Sequence, residues 1–168
     1  MPRRRYYRRY TRVVTPKKKW ASNIVQDGIT TSTSSTIVQN SAQASLPTPV
    51  IVKCGNFRVQ GDIAVTYTSG SSRIIPLNFF LLYVPEGVTP SDGLIGQHPE
   101  WIMAWTAIES PIALNASNNT VGGNKFSVTS RLKRNLNSGD RVVAILQSRD
   151  ASVTAQAVFT CQYWTCAN

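Results

Sequence analysis

One histidine, three cysteines and eight carboxylates in 168 residues leave little from which to build a catalytic or metal centre. His98 stands between Gln97 and Pro99, and a general base needs an orienting partner that no neighbouring pattern supplies. Asp62, Asp140 and Asp150 are scattered singly, so no paired-carboxylate or calcium-loop motif is present. Cys161 and Cys166 are five positions apart, with only Cys54 and His98 to join them. That spacing reads as buried thiols in a reducing compartment rather than as a zinc site. Gly122-Gly123 is not followed by Gly-Lys-Ser/Thr, so it is a turn and not a phosphate loop. There is no run of eighteen apolar residues, which argues against a transmembrane helix. The charged N-terminus is followed by no apolar segment of the secretory kind. The expectation is a protein that is not an enzyme, needs no cofactor or metal, and has no membrane partner.

Residues 1–19, MPRRRYYRRYTRVVTPKKK, contain no acid at all. They hold Arg3, Arg4, Arg5, Arg8, Arg9, Arg12, Lys17, Lys18 and Lys19, nine of the chain's 18 basic residues. The other nine bases stand against all eight acids, so positions 20–168 carry a net charge of only +1. The excess belongs to the arm. Such a segment repels itself, cannot bury a core, and is expected to be disordered alone. Nucleic acid is its natural partner, because each cation placed at a phosphate releases a condensed counterion. Arginine grips phosphate bidentately and also stacks. Tyr6, Tyr7 and Tyr10 interleave with the arginines, and an aromatic face beneath a single-stranded base is worth about 1–3 kcal/mol. A solvated tail or a membrane-surface tether is the plainer alternative. Two clusters, Arg3, Arg4, Arg5, Arg8 and Arg9, then Lys17, Lys18 and Lys19, also fit a nuclear-import signal.

Beyond the arm, residues 20–48 are polar and read as a linker, with a possible first strand at 30–39 (TTSTSSTIVQ). Residues 49–168 read as the folded domain. From Phe57 the period is two: Phe57, Val59, Ile63, Val65 and Tyr67 alternate with Arg58, Gln60, Asp62 and Thr66. Residues 77–84 (LNFFLLYV) are almost wholly apolar, as in a strand covered on both faces. Residues 101–108 fit a helical stripe through Trp101, Trp105 and Ile108. They also fit a strand face of Trp101, Met103, Trp105 and Ala107, and the preceding proline favours the strand. Phe126, Val128 and Leu132 alternate with Lys125, Arg131 and Lys133, giving one greasy and one cationic face. With Arg134, those cations are a second candidate surface for nucleic acid, although a merely solvated face explains the same pattern. Seven or eight short strands and no long helix predict an all-β antiparallel sandwich or barrel. Its expected core is Phe57, Val59, Val65, Phe79, Leu81, Phe126, Val128, Val143 and Ile145.

Several stretches taken together resemble the capsid proteins of small circular single-stranded DNA viruses, the circovirus-like (CRESS-DNA) group. These are the arm MPRRRYYRRYTR, residues 78–87 (NFFLLYVPEG), residues 98–105 (HPEWIMAW) and residues 131–143 (RLKRNLNSGDRVV). The resemblance implies a single jelly roll of eight strands in two sheets. It implies a T=1 icosahedral shell of 60 copies with the arm facing inward on a single-stranded DNA genome. It also implies a virion location, a nuclear stage of assembly, a host nuclear import receptor and a host attachment receptor. The alternatives are a non-viral nucleic-acid-binding β-barrel module and a satellite RNA virus coat protein. A jelly-roll carbohydrate binder using Trp101 and Trp105 is a further one.

Overall fold

The structure is a computed structural model that describes residues 18–41, 51–67, 76–109, 120–149 and 153–167. Eight strands dominate it: β1 (Lys19–Thr30), β2 (Ser34–Gln39), β3 (Val52–Tyr67), β4 (Pro76–Val84), β5 (Ile102–Glu109), β6 (Thr120–Leu136), β7 (Arg141–Ser148) and β8 (Val153–Ala167). A five-residue helix, α1 (Gly93–Gln97), and one 3-10 turn (Pro99–Trp101) lie between β4 and β5.

The strands form two antiparallel four-stranded sheets, ordered β1-β8-β3-β6 and β2-β7-β4-β5. Folding the chain in half generates this order: β1 pairs with β8, β2 with β7, β3 with β6 and β4 with β5. An eight-stranded double sheet wound in that way is a jelly roll. It buries the edges of consecutive hairpins against each other and leaves only β1, β6, β2 and β5 as edge strands.

The alternation read from the sequence is the physical basis of the core. Phe57, Val59, Ile63 and Val65 of β3 point inward, with Phe159 and Cys161 of β8 and Phe126 of β6. Phe79 of β4 meets Phe126 and Phe159 with ring centroids 5.0 and 5.1 Å away, which locks the sheets together at their centre. Polar links cross between the sheets as well. Tyr163 Oη donates to the Ile37 carbonyl at 3.2 Å. The buried Ser130 hydroxyl donates to the Met103 carbonyl. Gly61 is required where β3 passes β8, since a Cβ there would collide with Val158 and Phe159.

Four differences from the sequence reading have clear causes. The segment 20–48 is not one linker with one strand. Residues 19–30 and 34–39 form two strands, one in each sheet, so the sandwich begins at Lys19. Their side chains are largely polar because both are edge strands. Second, Val143 and Ile145 are buried but not between the sheets. They join Phe80, Leu82, Val84 and Leu94 in a second cluster on the outer side of β2-β7-β4-β5. The β4–β5 connection packs Val88, Ile95 and Trp101 over that cluster, so the continuous apolar run of β4 is covered on both faces. Third, Val128 is only half-buried at the rim. Fourth, Met103 and Trp105 do not share a face. The pairing of β4 with β5 shifts register between Leu81 and Leu82, and the extra residue turns Met103 and Ala104 inward and Trp105 outward.

Candidate nucleic-acid interface

The outer face of the β1-β8-β3-β6 sheet carries Lys53, Arg58, Lys125, Arg131 and Lys133, whereas Arg141 and Arg149 lie at the ends of β7 in the other sheet. Strand alternation and register set its rows. Trp20 lies opposite Trp164, which lies opposite Gly55, which lies opposite Lys133. The next row is Ser22, Gln162, Arg58 and Thr129. Then come Ile24, Thr160, Gln60 and Ser127, and last Val158, Asp62 and Lys125. Arg58, Lys125, Arg131 and Lys133 are all exposed, and Lys53 precedes Gly55 by two positions along the same face of β3. Asp62 is the one carboxylate of these rows. Asp27 also stands on β1 of this sheet, and Glu109 on β5 of the other. Glu86, Asp92 and Glu100 are exposed on the connection over the opposite sheet, and Asp140 is buried in the β6–β7 turn.

The near-neutral total of positions 20–168 therefore conceals a polarity. A summed charge cannot show it, because net charge is a property of composition and polarity is one of register.

Arm and face meet in space. Lys18 holds its ammonium over the Trp164 ring, 4.8 Å from the centroid, and Lys19 opens β1. The chain thus enters the sandwich on the cationic face. Arg3, Arg4, Arg5, Tyr6, Tyr7, Arg8, Arg9, Tyr10, Arg12 and Lys17 lie outside the described residues.

Of the second candidate group, Lys125, Arg131 and Lys133 lie on this face and Arg134 does not. Arg134 turns inward at the end of the sandwich, with its guanidinium 4.3 Å from the centre of the Tyr83 ring. It is a packing residue. Lys53, Arg58, Gln162 and Trp20 were not singled out by the sequence reading. Arg58 stood in plain view as the polar partner of Phe57 and Val59 in an alternating strand. The signal for Trp20 was missing, because its strand looked like linker.

Two open grooves score this face. One, of about 580 Å³, runs along Gln60, Asp62, Lys125 and Ser127. The other, of about 440 Å³, is lined by Trp20, Ala21, Ser22, Arg58 and Gln162. Both are shallow and polar-edged, a shape that suits an extended chain better than an enclosed small molecule.

His98, Glu100, Asp140 and the thiols have defined surroundings. His98 stacks on Trp101 with centroids 3.9 Å apart, and its Nδ1 meets Glu100 Oε1 at 3.1 Å. The Glu100 carboxyl is lowered by its backbone hydrogen bond and by His98. Asp140 accepts from Tyr83 Oη at 2.8 Å, from the Glu86 amide at 3.1 Å and from the Asn137 amide at 2.9 Å. Burial pushes the Cys54 thiol up to about 11 and the Cys161 thiol up to about 12, so neither is a nucleophile near neutrality. Among the described residues no three histidine, cysteine or carboxylate side chains gather as a metal site would need.

Known proteins give limited company. No family model matches the chain, and no curated protein does. Among solved structures, the crystal structure of the infectious bursal disease virus VP2 subviral particle aligns at 10% identity with a TM-score of 0.28. That alignment covers 91% of this chain and 40% of the other. A structure of the infectious bursal disease virus Gt strain aligns at 10% identity and a TM-score of 0.20, covering 90% of this chain and 41% of the other. The chain thus spans about two fifths of the length of either. Likenesses at these TM-scores carry no argument, and the jelly roll rests on the strand order alone.

Proposed function

We propose that this chain is a viral capsid protein that assembles into a closed shell and packages nucleic acid. The observation that carries the reading is the polarity of the sandwich. One sheet face bears Lys53, Arg58, Lys125, Arg131 and Lys133 and receives the chain at Lys18 and Lys19. The connection covering the opposite sheet carries Glu86, Asp92 and Glu100, with Arg141 and Arg149 at the ends of that sheet's β7. A shell protein needs that division, with one surface for a polyanion and another for the outside. Closed symmetry then repeats the same lateral contacts between identical copies.

The finer proposal follows the sequence resemblance. It is a T=1 shell of 60 copies around a circular single-stranded DNA genome, with a nuclear stage of assembly. Sixty arms of nine cations would place about 540 charges inside, a density that only a polyanion neutralises. Assembly and packaging are then coupled. No enzymatic step belongs to the proposal. Its partners are further copies of the chain, the genome, an import receptor reading Arg3 to Arg9 and Lys17 to Lys19, and an attachment receptor on the host.

A second reading has gained from the structure. A nucleic-acid-binding module that does not assemble should carry charge on its folded face, and this domain does. A carbohydrate-binding reading has lost ground at Trp101, whose ring stacks on His98 and is met edge-on by Tyr83. Light-scattering or electron-microscopic sizing of the purified full chain, with and without single-stranded DNA, decides. Uniform closed particles support the capsid proposal. A soluble monomer that binds DNA without assembling overturns it in favour of the module.

A further inference from the structure

Trp20 is 62% exposed, the most exposed large apolar side chain among the described residues. The strand around it explains how. Ala21, Asn23 and Val25 turn toward the core, so Trp20, Ser22 and Ile24 turn out. A tryptophan in water at the edge of a cationic face is unexpected for a merely solvated surface, where the same position takes a polar residue at no loss of core packing.

The surroundings specify what would cover it. The groove of about 440 Å³ beside the indole is lined by Ser22, Arg58 and Gln162, which share the row next to Trp20. Arg58 is exposed and offers a planar fork suited to phosphate. Gln162 offers an exposed amide. Lys18 and Lys19 immediately precede the tryptophan, so a strand held by the arm arrives at this point. Asp62, the face's carboxylate, stands three rows away along β3. In the row of Trp20 itself, Trp164 Nε1 is buried without an acceptor among the described residues. A second copy of the same face is a poor occupant, because a two-fold contact would bring Arg58, Lys125 and Lys133 against their own kind. A duplex is poor too, since its bases are already stacked on each other.

We infer that Trp20, Arg58 and Gln162 form a base-stacking subsite for single-stranded nucleic acid on the outer face of the β1-β8-β3-β6 sheet. The indole stacks on one unpaired base and Arg58 holds the adjoining phosphate. Because stacking uses the π-face and not the base edge, the subsite is indifferent to sequence. The inference rests on the nucleic-acid part of the proposal above.

The test separates bases from phosphates. Full-length protein is titrated with an oligothymidylate, with an abasic deoxyribose-phosphate strand of the same length, and with an oligouridylate. Wild type should prefer oligothymidylate to the abasic strand, with quenching of tryptophan emission. Trp20→Ala should lower oligothymidylate affinity about 5- to 100-fold, remove the quenching, and leave abasic affinity and its salt slope unchanged. Trp20→Tyr should restore most of the preference. Comparable effects with oligouridylate mark a site open to RNA as well as DNA. An intact base preference in Trp20→Ala overturns the subsite while leaving nucleic-acid binding in place. Wild-type protein that binds none of the three strands overturns both. A Trp20→Ala protein with unchanged base preference but altered particle size assigns the indole to a contact between copies instead.

Discussion

Tyr83 donates its phenolic hydroxyl to Asp140 Oδ2 at 2.8 Å, and that bond ties together two segments 57 residues apart. Tyr83 is the penultimate residue of β4, in the stretch YVPEG. Asp140 closes the β6–β7 turn in the stretch NLNSGDR. The same carboxylate takes the amides of Glu86 and Asn137, and Asn40 bonds the turn from the other side through Asp140 O and Gly139 N. Gly139 sits at φ +81° against the Glu86 side chain, a position that admits no Cβ. The knot fixes one end of the sandwich.

Removing the knot should be costly. Asp140→Ala leaves two amides and a hydroxyl without their acceptor, and should destabilise by about 2–4 kcal/mol. Tyr83→Phe removes one of the three bonds and should cost about 1–2 kcal/mol. Urea midpoints of the two variants check the ranking. An Asp140→Ala midpoint indistinguishable from wild type would refute the role given to this carboxylate.

Alkali should loosen the fold. Burial, then the Asp140 hydrogen bond and charge, raise Tyr83 from an ordinary 10.0 to about 12. The Cys54 and Cys161 thiols rise from 9.0 to about 11 and about 12. A raised pKa favours the protonated form in the folded state, so the unfolded chain loses these protons first. Stability from these groups is complete below pH ~9 and falls as pH climbs toward ~12. Denaturation midpoints measured from pH 7 to 11 should be flat near neutrality and decline above pH ~9. At neutral pH a thiol reagent should leave Cys54 and Cys161 unmodified until the protein unfolds. Rapid labelling of either in the native state contradicts their burial.

The aromatic centre makes a sharper stability test. Phe126 contacts Phe79 and Phe159, with centroids 5.0 and 6.4 Å away. Phe126→Ala empties a ring's volume between the sheets and should cost about 3–5 kcal/mol. A loss below about 1 kcal/mol would mean that the rim of β6 collapses into the space.

Charge on the folded face and charge on the arm should be separable. Lys125, Arg131 and Lys133 changed together to Ser should flatten the salt dependence of single-stranded DNA binding by up to about 2 in log–log slope, at roughly 0.7 per phosphate contact. Shell formation should persist with a lower nucleic-acid content. Deleting residues 2–17 should reduce the slope further and yield empty or unstable particles. Full-density particles from the deletion would break the coupling of assembly to packaging. Unchanged content in the triple variant would remove the sheet face from the interior.

Import is tested apart from assembly. Residues 1–20 fused to a fluorescent reporter should carry it into nuclei, and Arg3, Arg4, Arg5, Arg8 and Arg9 changed to Ser should abolish that. A wild-type fusion that stays cytoplasmic removes the import role.

What the sequence determined by itself was local. A period of two sorted the residues of β3 and β6 into two faces, because successive side chains on a strand must point to opposite sides. The apolar run of β4 announced a strand covered twice, and the acid-free arm located the chain's excess positive charge. Charge and period are written residue by residue, so they can be read that way. The sequence could not say that Val143 and Ile145 pack on the outer side of their sheet, since period two separates faces without naming them. It gave Arg134 the same apparent standing as Lys133, and only the end of the sandwich, with Tyr83 waiting, parts them. It hid β1 inside a polar stretch, because an edge strand facing a charged surface has little apolar signature. The rows that bring Trp20, Trp164, Gly55 and Lys133 across four strands belong to no segment. They arise from register between residues 78 to 144 positions apart, which tertiary pairing alone decides.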